Sequence, residues 1–299
     1  MAPATSILEI EPAWLRESED MGSKQKFWFR YQDEMWLFKQ ARTNTGEHWA
    51  EKIASEIATL LKLPTHEVQI ARSEGRIGCA VRSFLKKDES LVHGNELLAG
   101  AIKGYDRHKQ RGQAEHHFQN ILNTIEKTFP NVKDREREAL RLVGYFVFDA
   151  LVGNTDRHHE NWGVLLTPNA GAQRKKGLQI TLAPTFDHGS SLGRELLDER
   201  ARCLVADPHA MNRYLLKATG GVFANEHAKK GLSPIALVKL IAASYPELVR
   251  PWRNRIVALP KDFVMPLLAG VPTSCMSDIS RKFVIEFLST SVNMITSIL

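Results

Sequence analysis

Cysteine is scarce in this sequence. Its 299 residues include three, Cys79, Cys203 and Cys275, which lie far apart along the chain. Three separated cysteines cannot build a disulfide framework, and they lack the paired spacing of a metal site. The sequence therefore predicts reduced cysteines with structural roles.

Long apolar runs and an N-terminal signal are absent as well. The longest strongly apolar stretch, LVGYFVFDALVG at 142–153, contains Asp149 and is well short of the roughly 20 residues that cross a bilayer. The start, MAPATSILEIEPAW, has no basic segment followed by an apolar one, so we expect no signal peptide. These absences predict a cytoplasmic protein with no membrane partner.

Neither sign of charge dominates. The net charge of +6 is modest, and the densest basic stretch, at 106–117, is most simply a solvated helix face or loop. This balance suits a phosphate-bearing ligand, and we do not expect direct binding to nucleic acid. Repeats are absent too, and 43% hydrophobic content is enough for a globular protein of two domains or lobes.

The first part of the chain has strand patterns around one helix. Residues 26–40 predict two strands that turn at 32–34, and residues 68–85 predict a second hairpin that turns at Glu74 and Gly75. Between them, residues 46–63 have one apolar helical face and stop at a proline.

Helical patterns dominate from about residue 94. Residues 162–166 and 178–184 predict a further hairpin, after which we expect a loop to about residue 210 and then helices. The order predicts an α+β protein with a small β-rich lobe at 1–93 and a larger helical lobe at 94–299.

Three oxygen-bearing side chains surround the third hairpin. Asp156 and Asn161 follow the long apolar helix, and Asp187 follows the hairpin that starts beside Asn161. Because a hairpin returns its end to its start, we expect the three side chains to lie close together. Two carboxylates and an amide suit a hard cation such as Mg²⁺ that also binds phosphate oxygens.

Phosphoryl transfer from ATP also needs a cation on the phosphates, and the first lobe supplies one. In EMWLFKQ, Lys39 shares a strand face with Leu37, away from Trp36 and Phe38. The helix that follows offers Glu51 or Glu56 as the ion-pair partner of Lys39, and we favour Glu51. The segment GSKQK at 22–26 has a glycine and two lysines, and it is a candidate phosphate-covering loop.

These residues resemble one known family, the HipA-like serine/threonine kinases. The resemblance is carried by GSKQKFWF, FKQ, FLKKDESLVHGNELL, NTDRHHENWGVLL and LAPTFDHGSSLG, in the family's order from about residue 20 to 195. It implies a two-lobed protein-kinase-like fold with a catalytic hairpin in the helical lobe. It also implies ATP and Mg²⁺ as cofactors.

The resemblance implies a role for each matching position. Asp156 is similar to the catalytic base, Asn161 and Asp187 to the Mg²⁺ ligands, and Lys39 to the phosphate-binding lysine. The segment that would bind adenine through its backbone consists of Arg82, Ser83, Phe84 and Leu85. The residues that would cover the phosphates are Gly22, Ser23, Lys24 and Lys26.

The implied activity is transfer of phosphate to a serine or threonine of a protein, and an antitoxin-like protein is a further candidate partner. Two alternatives stay open. One is a small-molecule or lipid kinase of the same architecture, and the other is a kinase-like binding module without activity.

Several neighbouring residues also have simpler interpretations. We interpret His158 and His159 as loop scaffolding rather than metal ligands, with one of them bonded to Asp156 or Asp187. Ser23, Ser190 and Ser191 are candidate phosphorylation sites, although turn formation is the simpler role.

Overall fold

The three-dimensional structure, a computed structural model, describes residues 6–19, 26–109, 111–168 and 177–298. Its strands are β1 Leu8–Glu9, β2 Leu15–Glu19, β3 Lys26–Tyr31, β4 Glu34–Gln40, β5 Val68–Ser73, β6 Arg76–Arg82, β7 Ser90–His93, β8 Gly163–Pro168 and β9 Leu178–Leu182. Its α-helices are α1 Glu47–Leu60, α2 Gly94–Ala101, α3 Phe118–Thr128, α4 Val132–Val152, α5 Asp198–Ala206, α6 Pro208–Lys217, α7 Pro234–Ser244, α8 Pro246–Val257, α9 Val264–Ala269 and α10 Asp278–Thr296.

The first lobe is a six-stranded sheet in the order β1-β5-β6-β4-β3-β2 with α1 packed against it. Both predicted hairpins are confirmed as β3–β4 and β5–β6. Gln32 and Asp33 have positive φ angles of 51° and 62°, as two-residue hairpin turns with right-handed strand twist require. Strands β1 and β2 have no clear strand pattern in the sequence, because β1 has two residues and β2, LRESE, is mostly polar.

The two faces of this sheet differ in character. On one face, Phe27, Phe29, Trp36 and Phe38 are buried together with neighbours from β5, β6 and the N-terminal segment. On the other face, Lys39 pairs in register with Lys26 on β3 and with Cys79 on β6. The predicted orientation of Lys39, away from Trp36 and Phe38, is therefore confirmed.

The second lobe is built around α4. Its C-terminal half, residues 142–152, is buried on every side because α7, α8 and α10 pack around it. Gly144 lets the ring of Trp252 lie directly on the helix, and the Trp252 indole N–H donates to the Leu140 carbonyl over 2.7 Å. A helix without a solvated face provides a rigid base for the loop that follows it.

A three-stranded sheet, in the order β7-β8-β9, lies beside this helical core. Strands β8 and β9 confirm the third predicted hairpin. Residues 90–93 pair with β8 and therefore contact the second lobe, although the sequence division assigned them to the first.

The expected loop from Asp187 to about residue 210 is wrong in part, because α5 and the start of α6 lie within it. Helix α5, DERARCLVA, was not recognised since it buries Ala201 and Leu204 alone and has no apolar stripe. Within the described residues, no helix is both long and apolar enough to span a membrane.

Gly153, the C-cap of α4, allows a test of this packing. Its φ is +67°, and an added Cβ would lie 2.4 Å from the Phe287 ring. We predict that Gly153→Ala lowers the free energy of unfolding by about 2–5 kcal/mol, from left-handed backbone strain and overpacking together.

Urea unfolding of the purified protein measures this change, and Gly100→Ala in α2 is the matched control. An added Cβ at Gly100 meets no atom within 4 Å, so this variant should be about 0.5–1 kcal/mol more stable than wild type. Equal effects of the two substitutions would contradict the described packing.

Candidate active site

The candidate catalytic loop starts where α4 ends. The Leu192 amide donates to the Val152 carbonyl over 2.8 Å, which joins the loop after β9 to the end of the helix. Asn154 donates from its side chain to Asp149 Oδ1 over 2.9 Å and accepts the Asp156 amide over 3.1 Å. These bonds fix the backbone on both sides of Thr155.

A buried ion pair between Asp149 and Arg157 anchors this loop. Arg157 Nε lies 2.8 Å from Asp149 Oδ2, and one terminal nitrogen lies 2.7 Å from Oδ1. Both side chains are nearly inaccessible, at 3% exposed for Arg157 and 4% for Asp149. Burial opposes the charge on Arg157, but Asp149 offsets this effect, and the pKa of Arg157 is raised.

The same guanidinium joins two loops. Its other terminal nitrogen donates to the Asn161 carbonyl over 2.6 Å and to the Phe186 carbonyl over 3.4 Å. The terminal nitrogen that contacts Asp149 Oδ1 also donates to Thr185 Oγ1 over 3.0 Å. Arg157 therefore holds the backbone of Asn161 beside the segment that leads into Asp187. This supports the expectation that the side chains of Asn161 and Asp187 lie close together.

Asn161 is oriented by the backbone of the catalytic loop. The side chain is buried, and its Nδ2 donates to the Asp156 carbonyl over 2.6 Å. Because Nδ2 is engaged in this bond, Oδ1 is the side-chain atom of Asn161 that can bind a ligand. An amide oxygen is a suitable ligand for a hard cation.

Asp156 differs from its neighbours because it is exposed. Its Oδ2 accepts a hydrogen bond from Ser190 Oγ over 3.4 Å, which is near the distance limit for such a bond. A hydroxyl of the loop after Asp187 thus contacts the carboxylate that we expect to act as the base. Ser191, by contrast, is buried, so Ser190 is the accessible serine of the pair.

The two adjacent histidines are scaffolding, but neither has the expected partner. His158 Nδ1 accepts the Glu160 amide over 3.2 Å, and His159 Nδ1 lies 2.7 Å from the Tyr105 hydroxyl. Among the described residues, neither imidazole is bonded to Asp156 or Asp187, so that part of the prediction is wrong. The reason is geometric for His159, because its side chain is buried against Tyr105 and His116, which lie in the segment between α2 and α3.

Lys39 and Asp187 form the ion pair that connects the two lobes at the site. Lys39 Nζ lies 2.9 Å from Asp187 Oδ1. The positive charge of Lys39 is the main cause that lowers the pKa of Asp187, and the charge of Lys26 acts in the same direction. Burial opposes the charge on Lys39, but Asp187 and Glu51 offset it, and the pKa of Lys39 is raised.

Of the two candidate glutamates on α1, Glu51 lies near Lys39. Glu51 is 1% exposed, and the electrostatic interaction between the two side chains contributes to both pKa shifts. Burial alone would raise the pKa of Glu51, but Lys39 and two histidines lower it. Glu56 instead forms a half-buried pair with Lys52 over 2.7 Å.

Two histidines hold the Glu51 carboxylate in place. His66 Nε2 lies 3.4 Å from Glu51 Oε1, and the His188 amide donates to the same oxygen over 3.0 Å. His188 Nε2 also lies 2.8 Å from Thr185 Oγ1, and burial lowers the pKa of His188. The three side chains have metal-ligand chemistry, with potential ligand atoms within 4.8 Å of one another, and all three are buried.

The predicted adenine-binding segment lines a cavity of about 820 Å³. Three of its four amides are already bonded: Arg82 N–H to the Glu67 carbonyl, Ser83 N–H to the Met35 carbonyl and Leu85 N–H to Ser83 Oγ. Among the described residues, the Phe84 N–H has no partner. The Phe84 amide and the backbone carbonyls are therefore the groups that can pair with a base.

The phosphate-covering segment is described only at its end. Gly22, Ser23 and Lys24 lie outside the described residues, so their predicted roles stay predictions. Lys26 begins β3, directly opposite Lys39 in register. Its position on the face that carries Lys39 agrees with a role near phosphate.

Together these groups have the chemistry of phosphoryl transfer. Asn161 Oδ1 and the Asp187 carboxylate are hard oxygen donors of the kind that Mg²⁺ takes in nucleotide sites. A charged lysine lies beside them, and an exposed carboxylate, Asp156, lies on the same loop as Asn161. The donor set therefore fits a Mg²⁺–nucleotide complex.

Sequence reasoning missed the residues that support these groups. Asp149 was noted only as a charge in an apolar run, and Arg157, His66 and His188 were given no role. One signal was present, because a lone carboxylate inside a buried helix needs a cationic partner, and Arg157 follows it within eight positions. The partners of Glu51 had no such local signal.

Comparison with protein families gives one match across most of the chain. A family model described as HipA-like C-terminal domain matches residues 21–228. The matched range contains each of the predicted site residues.

Among curated proteins, the chain is similar to the serine/threonine-protein kinase CtkA of Helicobacter pylori strain J99. The two are 25% identical over 188 residues, which cover 62% of this chain and 53% of CtkA. The chain thus matches about half the length of this relative.

Among solved structures, the crystal structure of the H. pylori proinflammatory kinase CtkA superposes with a TM-score of 0.76 at 18% identity, covering 98% of both chains. HipA of Shewanella oneidensis MR-1, solved with HipB and operator DNA, gives a TM-score of 0.46 at 13% identity, covering 96% of this chain and 66% of that one. The match to CtkA confirms the predicted α+β, kinase-like fold.

The Asp149–Arg157 pair can be tested by removing one partner. Arg157→Met leaves a buried carboxylate without its cation, and we predict a loss of about 3–5 kcal/mol in the free energy of unfolding, measured in urea. Arg72→Met is the matched control, because Arg72 pairs with Glu9 over 2.6 Å at the surface. Its cost should stay below about 1 kcal/mol, and a similar cost for both variants would refute the anchoring role.

Proposed function

Because the chain belongs to the family of HipA-like C-terminal domains, we propose that it is an ATP- and Mg²⁺-dependent protein kinase that phosphorylates serine or threonine. The observation that carries this proposal is the Lys39–Asp187 ion pair beside a loop that presents Asn161 and Asp156. The similarity to CtkA supports kinase activity as the coarser statement.

In this proposal, Asn161 and Asp187 hold the metal and Lys39 holds the phosphates. Bound Mg²⁺ would neutralise charge on the phosphates during transfer. Asp187 has a lowered pKa and is therefore ionised at neutral pH, ready to bind a cation. Lys39 exchanges its contact with Asp187 for the phosphates, and it keeps Glu51 as a neighbouring carboxylate.

Asp156 acts as the base toward the acceptor. The acceptor hydroxyl takes the place beside Asp156 Oδ2 that Ser190 Oγ occupies, and the carboxylate orients it and accepts its proton. The acceptor oxygen forms the new bond to the γ-phosphorus, and the bond to the ADP oxygen breaks. Positioning by fixed groups supplies most of the rate in such reactions.

The alternatives stay distinguishable by experiment. A small-molecule or lipid kinase would transfer phosphate from labelled ATP to a small product of a cell extract, which mass spectrometry identifies. A binding module without activity would fail to bind ATP with Mg²⁺. Cytoplasmic location and an antitoxin-like partner stay predictions.

Two aspartates should have separable roles. We predict that Asp156→Asn lowers kcat by at least about 100-fold but leaves the Kd for Mg²⁺–ATP nearly unchanged, because the base contacts the acceptor and not the nucleotide. Asp187→Asn should abolish transfer and also weaken Mg²⁺–ATP binding, measured by calorimetry.

Asp134→Asn is the matched control, since Asp134 lies in the first turn of α4, at the opposite end from the catalytic loop. It should behave as wild type. Full activity of a purified, folded Asp187→Asn protein would rule out the metal assignment.

The identity of the lysine partner can be tested with two isosteric changes. Glu51→Gln removes the charge near Lys39, and we predict a loss of about 10- to 100-fold in kcat/KM for ATP. Glu56→Gln, which affects the half-buried pair with Lys52, should change this value less than twofold, because the partner of Glu56 is Lys52 and not Lys39. A larger effect of Glu56→Gln than of Glu51→Gln would reverse the assignment.

A further inference from the structure

Two cavities meet beside Asp156, and together we call them the acceptor groove. The first, of about 320 Å³, is lined by the catalytic loop, by residues 219–221 and by 229–231. The second, of about 610 Å³, is lined by α5, α6 and the segment that follows α6. Thr155 and Thr219 line both cavities. The groove therefore extends to both sides of Thr155, the residue before Asp156.

The floor of the first cavity is built by close backbone packing. An added Cβ at Gly221 would lie 2.8 Å from the Arg157 backbone, and one at Gly231 would collide with the Gly220 carbonyl. His116 holds this floor in place, because its Nδ1 donates to the Gly221 carbonyl over 2.8 Å while its Nε2 accepts the Trp162 indole N–H over 3.1 Å. An imidazole that accepts at one nitrogen is neutral, and burial lowers the pKa of His116 to about 3.

The walls of the groove are rich in unpaired positive charge. Five cations on its walls have no carboxylate within 4.0 Å among the described residues. These are Arg111, Lys229 and Lys230 in the first cavity and Arg200 and Lys217 in the second. The acidic residues of the second cavity each have a cation within 4.0 Å, since Asp207 lies 3.5 Å from Arg213 and Glu195 lies 3.9 Å from Arg194.

The charge pattern along the groove is positive, negative, positive, because the exposed Asp156 carboxylate lies between the cations of the first cavity and those of the second. A continuous polyanion such as a nucleic acid would place phosphates against Asp156 and be repelled there. A polypeptide with a neutral serine or threonine at the centre and carboxylates on both sides matches the pattern at every point.

From this complementarity we infer that the substrate is a protein segment with acidic side chains on both sides of its acceptor hydroxyl. The inference rests on the proposed function and specifies the substrate class of the same site. Lys229 and Lys230 bind the acidic residues on one side of the acceptor, and Arg200 and Lys217 bind those on the other.

A degenerate peptide library with a fixed central serine tests this inference on the whole 299-residue chain with Mg²⁺ and labelled ATP. Pools with Asp or Glu fixed near the serine should be labelled about fivefold more than pools with Lys or Arg, as expected for exposed charge pairs. The preference should weaken as salt is added. Preference for basic or uncharged pools would overturn the inference.

Charge reversal then tests the cations of each cavity separately. We expect Lys229→Glu with Lys230→Glu to lower the ratio of kcat/KM for an acidic peptide to that for an uncharged one about tenfold. Arg200→Glu with Lys217→Glu should lower the same ratio about tenfold for peptides that are acidic on the opposite side of the serine. Lys239→Glu with Lys261→Glu is the matched control, because these exposed lysines line neither cavity and should leave the ratio unchanged.

The remaining outcomes separate the two proposals. If the protein binds Mg²⁺–ATP and hydrolyses it but labels no peptide, the substrate inference fails and the nucleotide site stands. If it does not bind Mg²⁺–ATP, the proposed function fails. Tight binding of a labelled RNA oligonucleotide that is lost in the Lys229 and Lys230 variant would assign the groove to nucleic acid and also refute the inference.

Discussion

The buried ion pair between Asp149 and Arg157 is the interaction on which the site depends. Its carboxylate belongs to a helix that is surrounded by the core, so its position is set by the packing of the whole second lobe. The guanidinium of Arg157 also donates hydrogen bonds to Thr185 and to the carbonyls of Asn161 and Phe186. One cation thus transmits the rigidity of α4 to both loops that carry the candidate metal ligands.

A second ion pair completes the site across the two lobes. Lys39 leaves a strand of the first lobe and meets Asp187, which follows the hairpin of the second. Glu51, held by His66 and the His188 amide, adds negative charge behind the lysine. Lys39 favours the ionised form of both carboxylates, and both carboxylates favour the charged form of Lys39, so the free protein already has an electrostatic arrangement suited to a metal and phosphates.

The sequence was informative where local patterns decide the structure. The two-residue period of strand side chains predicted which face of EMWLFKQ carries Lys39, and the hairpin between residues 162 and 184 predicted that Asp187 returns toward Asn161. It was uninformative where tertiary contacts decide. Helix α1 is buried on nearly all sides, so its pattern could not separate Glu51 from Glu56. The roles of Arg157 and of the two histidines depend on partners that lie on other elements.

A crystal structure of the protein with Mg²⁺ and a non-hydrolysable ATP analogue tests the central claim most directly. The account predicts a metal bound by Asn161 Oδ1 and the Asp187 carboxylate, Lys39 on the phosphates, and the adenine ring paired with the Phe84 amide. Asp156 should face the γ-phosphate without contacting the metal. A nucleotide bound elsewhere, or one bound here with Lys39 still on Asp187, would contradict the account.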